Sequence, residues 1–131
     1  MTTTRNDWEQ RFQSLTLESR AFINGEYRPA ISGETFECLS PVDGRFLASV
    51  ASTDEADANL AVEAARQSFN SGVWANKPPT ERKRILIRFA DLILQHQEEL
   101  ALLETLDMGK PISDSMSIDI PATANAIRWS A

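Results

Sequence analysis

At 131 residues the chain is long enough for one ordinary domain, and its 42% hydrophobic and 24% charged content belongs to a globular protein, not a disordered or membrane one. A net charge of -6 argues against a nucleic-acid partner, which needs a basic surface. The longest apolar run, ILIRFADLIL, is broken by Arg88 and Asp91 and is too short to span a bilayer, so no membrane partner is expected either.

The N-terminal segment MTTTRNDWEQRFQSL lacks a signal peptide's apolar core, and its acidic residues do not suit a mitochondrial presequence. One cysteine cannot form an internal disulfide, and a reducing, cytoplasmic setting is the default expectation. Residues 1–20 read as a polar helical arm, with Trp8, Phe12 and Leu15 at spacings of four and three. In RAFINGEYRPA, Phe22 and Ile23 precede Asn24-Gly25, a dipeptide that readily takes the positive φ of a tight hairpin turn. ETFECLSPVDGRFLASVA repeats the theme, with strands at 35–39 and 46–51 around a turn at 40–44.

Helices follow. Ser52 with Glu55 fits a capping box, although Thr53 or Asp54 also qualifies as N-cap. Ala58, Ala61, Val62, Ala65 and Phe69 make one apolar stripe. After the loop SGVWANKPP, Thr80 offers an N-cap for a long helix with Ile85, Leu86, Phe89, Leu92 and Ile93 on its apolar face. The pattern resumes at Leu100, Leu103 and Leu106, which predicts a break near 96–98. Gly109 suits a left-handed C-terminal cap, and Pro111 prevents continuation. A last helix is predicted from about Ser117 or Asp119, with Pro121 tolerated in its first turn.

The sum is a few strands and about four helices with no βαβ alternation, so this cannot be a complete nucleotide-binding sheet. The final ANAIRWSA lies inside a helical pattern with no Gly, Asn or Pro to close it, and is read as a chain cut in mid-helix. Helices with apolar faces and little of their own to cover point to a missing partner.

The residues offer no catalytic constellation. Cys38 has Glu37 and no cation beside it, so nothing in its sequence neighbourhood activates the thiol, and a structural role is the reading. His96 is the lone histidine, among glutamates, and reads as a surface or helix-break residue. MGKP lacks the upstream glycine and the following Ser or Thr of a phosphate loop. The cationic turn ERKR at 81–84 is one helical turn long, a solvated face. One residue is oddly placed. Asp107 sits in the last turn of an apolar helix, where partial negative charge disfavours an anion. Either it is an ordinary solvated or hydrogen-bonded residue, or something cationic lies next to it.

FINGEY, SPVDGRFLASVA, AVEAARQSF, KRILIRFADLI and ELALLETLDMGKP, in this order and spacing, resemble the N-terminal part of the NAD(P)-dependent aldehyde dehydrogenases. The stretch DMGKPISDS…DIPATANAIRW is most similar to the subgroup that oxidises ω-amino aldehydes from polyamine breakdown, such as γ-glutamyl-γ-aminobutyraldehyde dehydrogenases. The resemblance covers about residues 21–131. It implies an α/β fold with a Rossmann-like cofactor domain, of which 21–131 would be the N-terminal part and 1–20 a variable arm.

It further implies a small aldehyde oxidised to a carboxylic acid, NAD or NADP as cofactor, and a homo-oligomer at full length. The family's nucleophilic cysteine, its glutamate base and its cofactor-binding segments lie beyond the end of this chain, and Cys38 does not match the nucleophile's motif. No catalytic or cofactor-binding residue is therefore assigned here, and the chain alone is expected to be inactive. In many members a monovalent cation, K⁺ or Na⁺, sits near the acidic residue that matches Asp107. The other matching ligands are the main-chain carbonyls of Cys38 and Leu39. Such a hard cation takes oxygen ligands and would reverse the unfavourable charge at the helix end. By position Ile118 and Ala122 match residues that line the aldehyde channel; ordinary packing is the alternative for both. A different class of reading is a non-enzymatic helical interaction module, such as a truncated product that binds full-length subunits.

Overall fold

The structure, a computed structural model, describes residues 4–131, so the first three residues of the expected arm lie outside it. Helix α1 (Arg5–Ser14) starts from Thr4, whose hydroxyl accepts the Asp7 N–H while the Asp7 carboxylate accepts the Thr4 N–H, a reciprocal cap. None of its residues is buried. Polar contacts tie it to the body: Arg45 donates to Glu9 at 3.0 and 3.3 Å and lies over the Phe12 ring, and Arg11 pairs with Glu98.

Strands β1 (Ala21–Ile23) and β2 (Glu26–Arg28) form the expected hairpin. Asn24 and Gly25 both have positive φ, 55° and 83°, which is the backbone twist that a two-residue turn requires. Across it Phe22 and Tyr27 pair with ring centroids 4.9 Å apart. The second hairpin joins β3 (Thr35–Leu39) and β4 (Phe46–Ala51), with Thr35 opposite Ala51 and Cys38 opposite Ala48. A bulge then shifts the register so that Leu39 faces Phe46. Both sheets are two-stranded and antiparallel.

Helix α2 (Glu55–Ser71) is capped by Asp54, with Asp57 as its reciprocal partner. Of the three N-caps that the sequence leaves open, Asp54 is thus the one used, and the Ser52/Glu55 box does not form. Asp57 is buried because its carboxylate also accepts the Ile31 N–H, which ties the segment after β2 to the helix start. Helix α3 (Pro79–Gln95) corrects a further expectation. Thr80 lies inside the first turn, and the N-cap is Pro78 with no side-chain hydrogen bond. Pro79 already has the φ of a helix and no N–H to satisfy, so the helix starts two residues earlier than the Thr80 signal implies.

His96 is the joint between α3 and α4 (Gln97–Met108), at φ -101° and ψ 21°, where the sequence places the break. The hydrogen-bond ladder continues through it, His96 N–H to Leu92 O and Leu100 N–H to His96 O, each 3.0 Å. The last helix starts from Asp119, one of its two expected starts, with Pro121 in its first turn, but a helical run that the sequence reading does not include leads into it. A single turn, α5 (Ile112–Asp114), runs into a π turn (Ser115–Asp119) and then α6 (Ile120–Ser130), with Pro121 at the start of α6.

The core lies where α3, α4, the π turn and α6 meet. Ala90, Ala101 and Ala124 are completely buried there, and such small side chains allow close helix approach. Leu102, Leu106 and Ile120 fill the remainder, and Arg128 closes the α3–α6 contact by donating to Asp91 at 2.7 Å. The expected apolar faces are elsewhere. Phe69 on α2 is 67% exposed and Phe89 on α3 52%.

Candidate functional site

The end of β3 and the end of α4 meet. Gly109 terminates α4 in the left-handed conformation, φ 77° and ψ 12°, and its N–H returns to Thr105 O. A Cβ here would stand 3.1 Å from Pro41 Cγ, so the 40–44 turn packs directly on this cap. That turn is anchored by buried Ser40, whose N–H donates to Arg45 O and whose carbonyl accepts the Gly44 N–H.

In consequence Asp107, on the last turn of α4, faces Cys38 on β3 across 69 residues of sequence. The thiol donates to Asp107 Oδ1 at 3.6 Å. Burial pushes the Cys38 thiol above its ordinary value, and the hydrogen bond to Asp107 and that residue's charge push it further. It is held as a thiol, the opposite of what a nucleophile needs. Leu39, the third residue singled out from the sequence, lies beside Cys38 at the β-bulge, where the ladder is locally disrupted.

A cavity of about 320 Å³ opens between α4 and the second hairpin, with Cys38, Leu103, Asp107, Glu104 and Glu18 on its wall. Glu18 is neutralised locally: Arg20 donates to it at 2.7 and 2.8 Å and lowers its carboxyl to about 2. Glu104 Oε2 is buried with no hydrogen-bond partner. The electrostatic character of this wall is therefore negative, with Glu104 and Asp107 on one helix face. Among the described residues no group of three His, Cys, Asp or Glu side chains is close enough to hold a metal ion. A cation here would rely on the Asp107 carboxylate and main-chain carbonyls, a donor set suited to a hard monovalent ion and not to zinc.

Ile118 stands on the π turn and is 57% exposed, and Ala122, four residues on, is also exposed. Neither lines the cavity beside Asp107. The structure thus brings Cys38 and Asp107 together, with Leu39 next to Cys38 on β3 but not on the wall of that cavity, and leaves Ile118 and Ala122 exposed. Two polar elements escaped sequence reasoning. Lys110 pairs with Asp119, which raises the lysine and ties the α4 cap to the π turn. Gln97 donates its side-chain amide to Met116 O. Helix α2 begins with Asp54 and Glu55, which disfavour a phosphate at its N-terminus. No described helix is long and apolar enough to cross a membrane.

Short antiparallel hairpins leading into a helical layer form an arrangement shared with known proteins. The aldehyde dehydrogenase family profile matches residues 27–131, and the chain belongs to that family. It is 49% identical over 124 residues to the NADP/NAD-dependent aldehyde dehydrogenase PuuC of Escherichia coli (strain K12), covering 95% of this chain and 25% of that protein. The P. syringae indole-3-acetaldehyde dehydrogenase AldA, solved with NAD+ and IAA, superposes with a TM-score of 0.96 at 64% identity, covering 98% of this chain and 26% of that one. The γ-glutamyl-γ-aminobutyraldehyde dehydrogenase from Burkholderia cenocepacia J2315 gives 0.93 at 52% identity, covering 95% and 25%. The chain spans about a quarter of the length of the relatives it matches. The resemblance read from the five motifs is therefore correct at the level of family, and the fold is that of its N-terminal part.

Proposed function

We propose that this chain is the N-terminal part of an enzyme that oxidises an ω-amino aldehyde to a carboxylic acid with NAD or NADP. Residues 21–131 belong to its cofactor-binding domain and 1–20 form an arm. The observation that carries the reading is the match of nearly the whole chain to PuuC, to an aminoacetaldehyde dehydrogenase of Pseudomonas aeruginosa and to the γ-glutamyl-γ-aminobutyraldehyde enzyme. The cofactor supplies a hydride acceptor when bound, and residues outside this chain would hold it. What these 131 residues contribute is a frame: a layer of helices with an open apolar face, a tied arm and the Cys38–Asp107 contact.

In this proposal Asp107 and the carbonyls of Cys38 and Leu39 hold K⁺ or Na⁺, and the negative wall with its orphaned Glu104 oxygen supports that reading. Ile118 and Ala122 line the aldehyde channel, which their exposure in this chain permits. A homo-oligomer belongs to the same proposal.

A second reading, an indole-3-acetaldehyde substrate, is favoured by the higher identity to the AldA structure, 64% against 52% for the amino-aldehyde enzyme. The two are separated by kcat/KM measured from NADH formation, using a full-length dehydrogenase that carries this segment. A preference of tenfold or more for γ-glutamyl-γ-aminobutyraldehyde is expected. The reverse preference transfers the assignment to the aryl substrate, and no turnover of either aldehyde overturns both.

A further inference from the structure

The helical run that carries Ile118 and Ala122 contains a proline where regular helix has no donor to give. In the π turn the Ile120 N–H reaches back five residues to Ser115 O. By the same spacing the Met116 carbonyl falls to residue 121, which is a proline and has no N–H. A carbonyl in this half-buried position needs a partner. It is provided from another helix: Gln97, the first residue of α4, donates its side-chain amide to Met116 O. Because a carbonyl only accepts, the amide must present its NH2 group, which settles the orientation of the side chain.

We propose that Gln97 is a positioning residue for aldehyde specificity. Its amide replaces the N–H that Pro121 lacks and holds the π turn in the register that sets where Ile118 and Ala122 stand. The proposal rests on the channel reading above. The register matters because moving from π to α spacing removes one residue from the turn, and successive helical residues are about 100° apart around the axis. The observed arrangement is also tied at its other end, by the Lys110–Asp119 pair and by Ser117 Oγ donating to Ser113 O at 2.7 Å. Gln97 joins α4 to the Met116 carbonyl that Pro121 leaves without an N–H, and Thr105 Oγ1, also on α4, donates to Ser115 Oγ at 3.5 Å.

The test uses a full-length aldehyde dehydrogenase carrying this segment and has two readouts. Amide hydrogen exchange over residues 117–122 should quicken about fivefold in Gln97→Ala, the loss of one ordinary hydrogen bond, and also in Gln97→Glu, which keeps the shape but cannot donate. In a Pro121→Ala background, where residue 121 regains its N–H, Gln97→Ala should be nearly silent. Equal quickening in both backgrounds, or none in either, overturns the proposal. The second readout is the ratio of kcat/KM between a bulky and a small aldehyde, with Ala122→Leu as the direct channel variant. Gln97→Ala should shift this ratio at least threefold, through KM more than kcat. If Ala122→Leu shifts the ratio and Gln97→Ala does not, Gln97 has no specificity role. If neither shifts it, the channel reading itself fails, and the proposal fails with it.

Discussion

Cys38 and Asp107 show how one contact sets the chemistry of both partners. The thiol is kept protonated by burial, by its bond to Asp107 and by that carboxylate's charge. Its folded value is raised, so its contribution to stability is complete below the ordinary thiol range and declines as pH climbs through the raised value. Iodoacetamide at pH 8 should modify Cys38 several times more slowly than a free thiol, as read by mass spectrometry. Asp107→Asn should quicken the reaction, because it removes the charge while burial remains. If the Asn variant reacts no faster, the carboxylate does not control this thiol. The same substitution tests the cation proposal. A carboxylate–cation contact is worth on the order of a few kcal/mol at an effective dielectric near 20. In a full-length enzyme carrying this segment, the melting temperature should rise as K⁺ or Na⁺ replaces a bulky organic cation at constant ionic strength. The Asn variant should lose most of that rise; equal shifts in both proteins would return Asp107 to the role of a thiol's hydrogen-bond acceptor.

At the scale of elements, the junction between α4 and the second hairpin depends on Gly109. Its positive φ disfavours any side chain, and the Cβ of an alanine would press on Pro41 at 3.1 Å. Gly109→Ala should cost about 1–2 kcal/mol, the penalty of a left-handed non-glycine residue, and denaturant melts of the full-length enzyme would measure it. An unchanged midpoint would mean that the cap and the 40–44 turn relax together at no cost. The elements that sequence reasoning located well are those with local determinants. The Asn24-Gly25 turn, the break at His96 and the Gly109 cap each depend on the conformational preference of one or two residues. The π turn ahead of α6 was not foreseen, since the side chain that bonds its Met116 carbonyl, Gln97, belongs to another element.

The whole molecule is an open layer. Apolar side chains that a finished domain would cover face outward, Trp129 at 92% and Val62 at 66% exposure among them. Covering a large aliphatic or aromatic side chain contributes roughly 1.5–3 kcal/mol, and the loss of several approaches a typical domain's entire margin of about 5–15 kcal/mol. The 131-residue chain by itself should bind a hydrophobic dye and melt without a cooperative transition. A sharp melt of a soluble monomer would contradict this. With NAD⁺ and an amino aldehyde it should form no NADH above a protein-free blank, since its one thiol is pushed away from the thiolate form that a nucleophile needs. Turnover that vanished with Cys38→Ser would overturn that expectation.

From the sequence alone, the hairpins, the helix break at His96, the Gly109 cap and the family were legible, because turn chemistry and ordered motifs are properties of neighbouring residues. The odd placement of Asp107 was visible too, as an anion at the wrong end of a helix. The family resemblance set Cys38 and Leu39 near it, but the bond from the Cys38 thiol was not legible, since only the packing of the 40–44 turn on Gly109 brings β3 to within a hydrogen bond of α4. The tertiary structure likewise decided which N-cap is used at Asp54, because Asp57 is buried under the Ile31 N–H. It also decided which helix faces form the core. Hydrophobic stripes mark what can be buried, but the alanines at 90, 101 and 124 form this core because only small side chains let these helices approach, and no one-dimensional pattern records that distance.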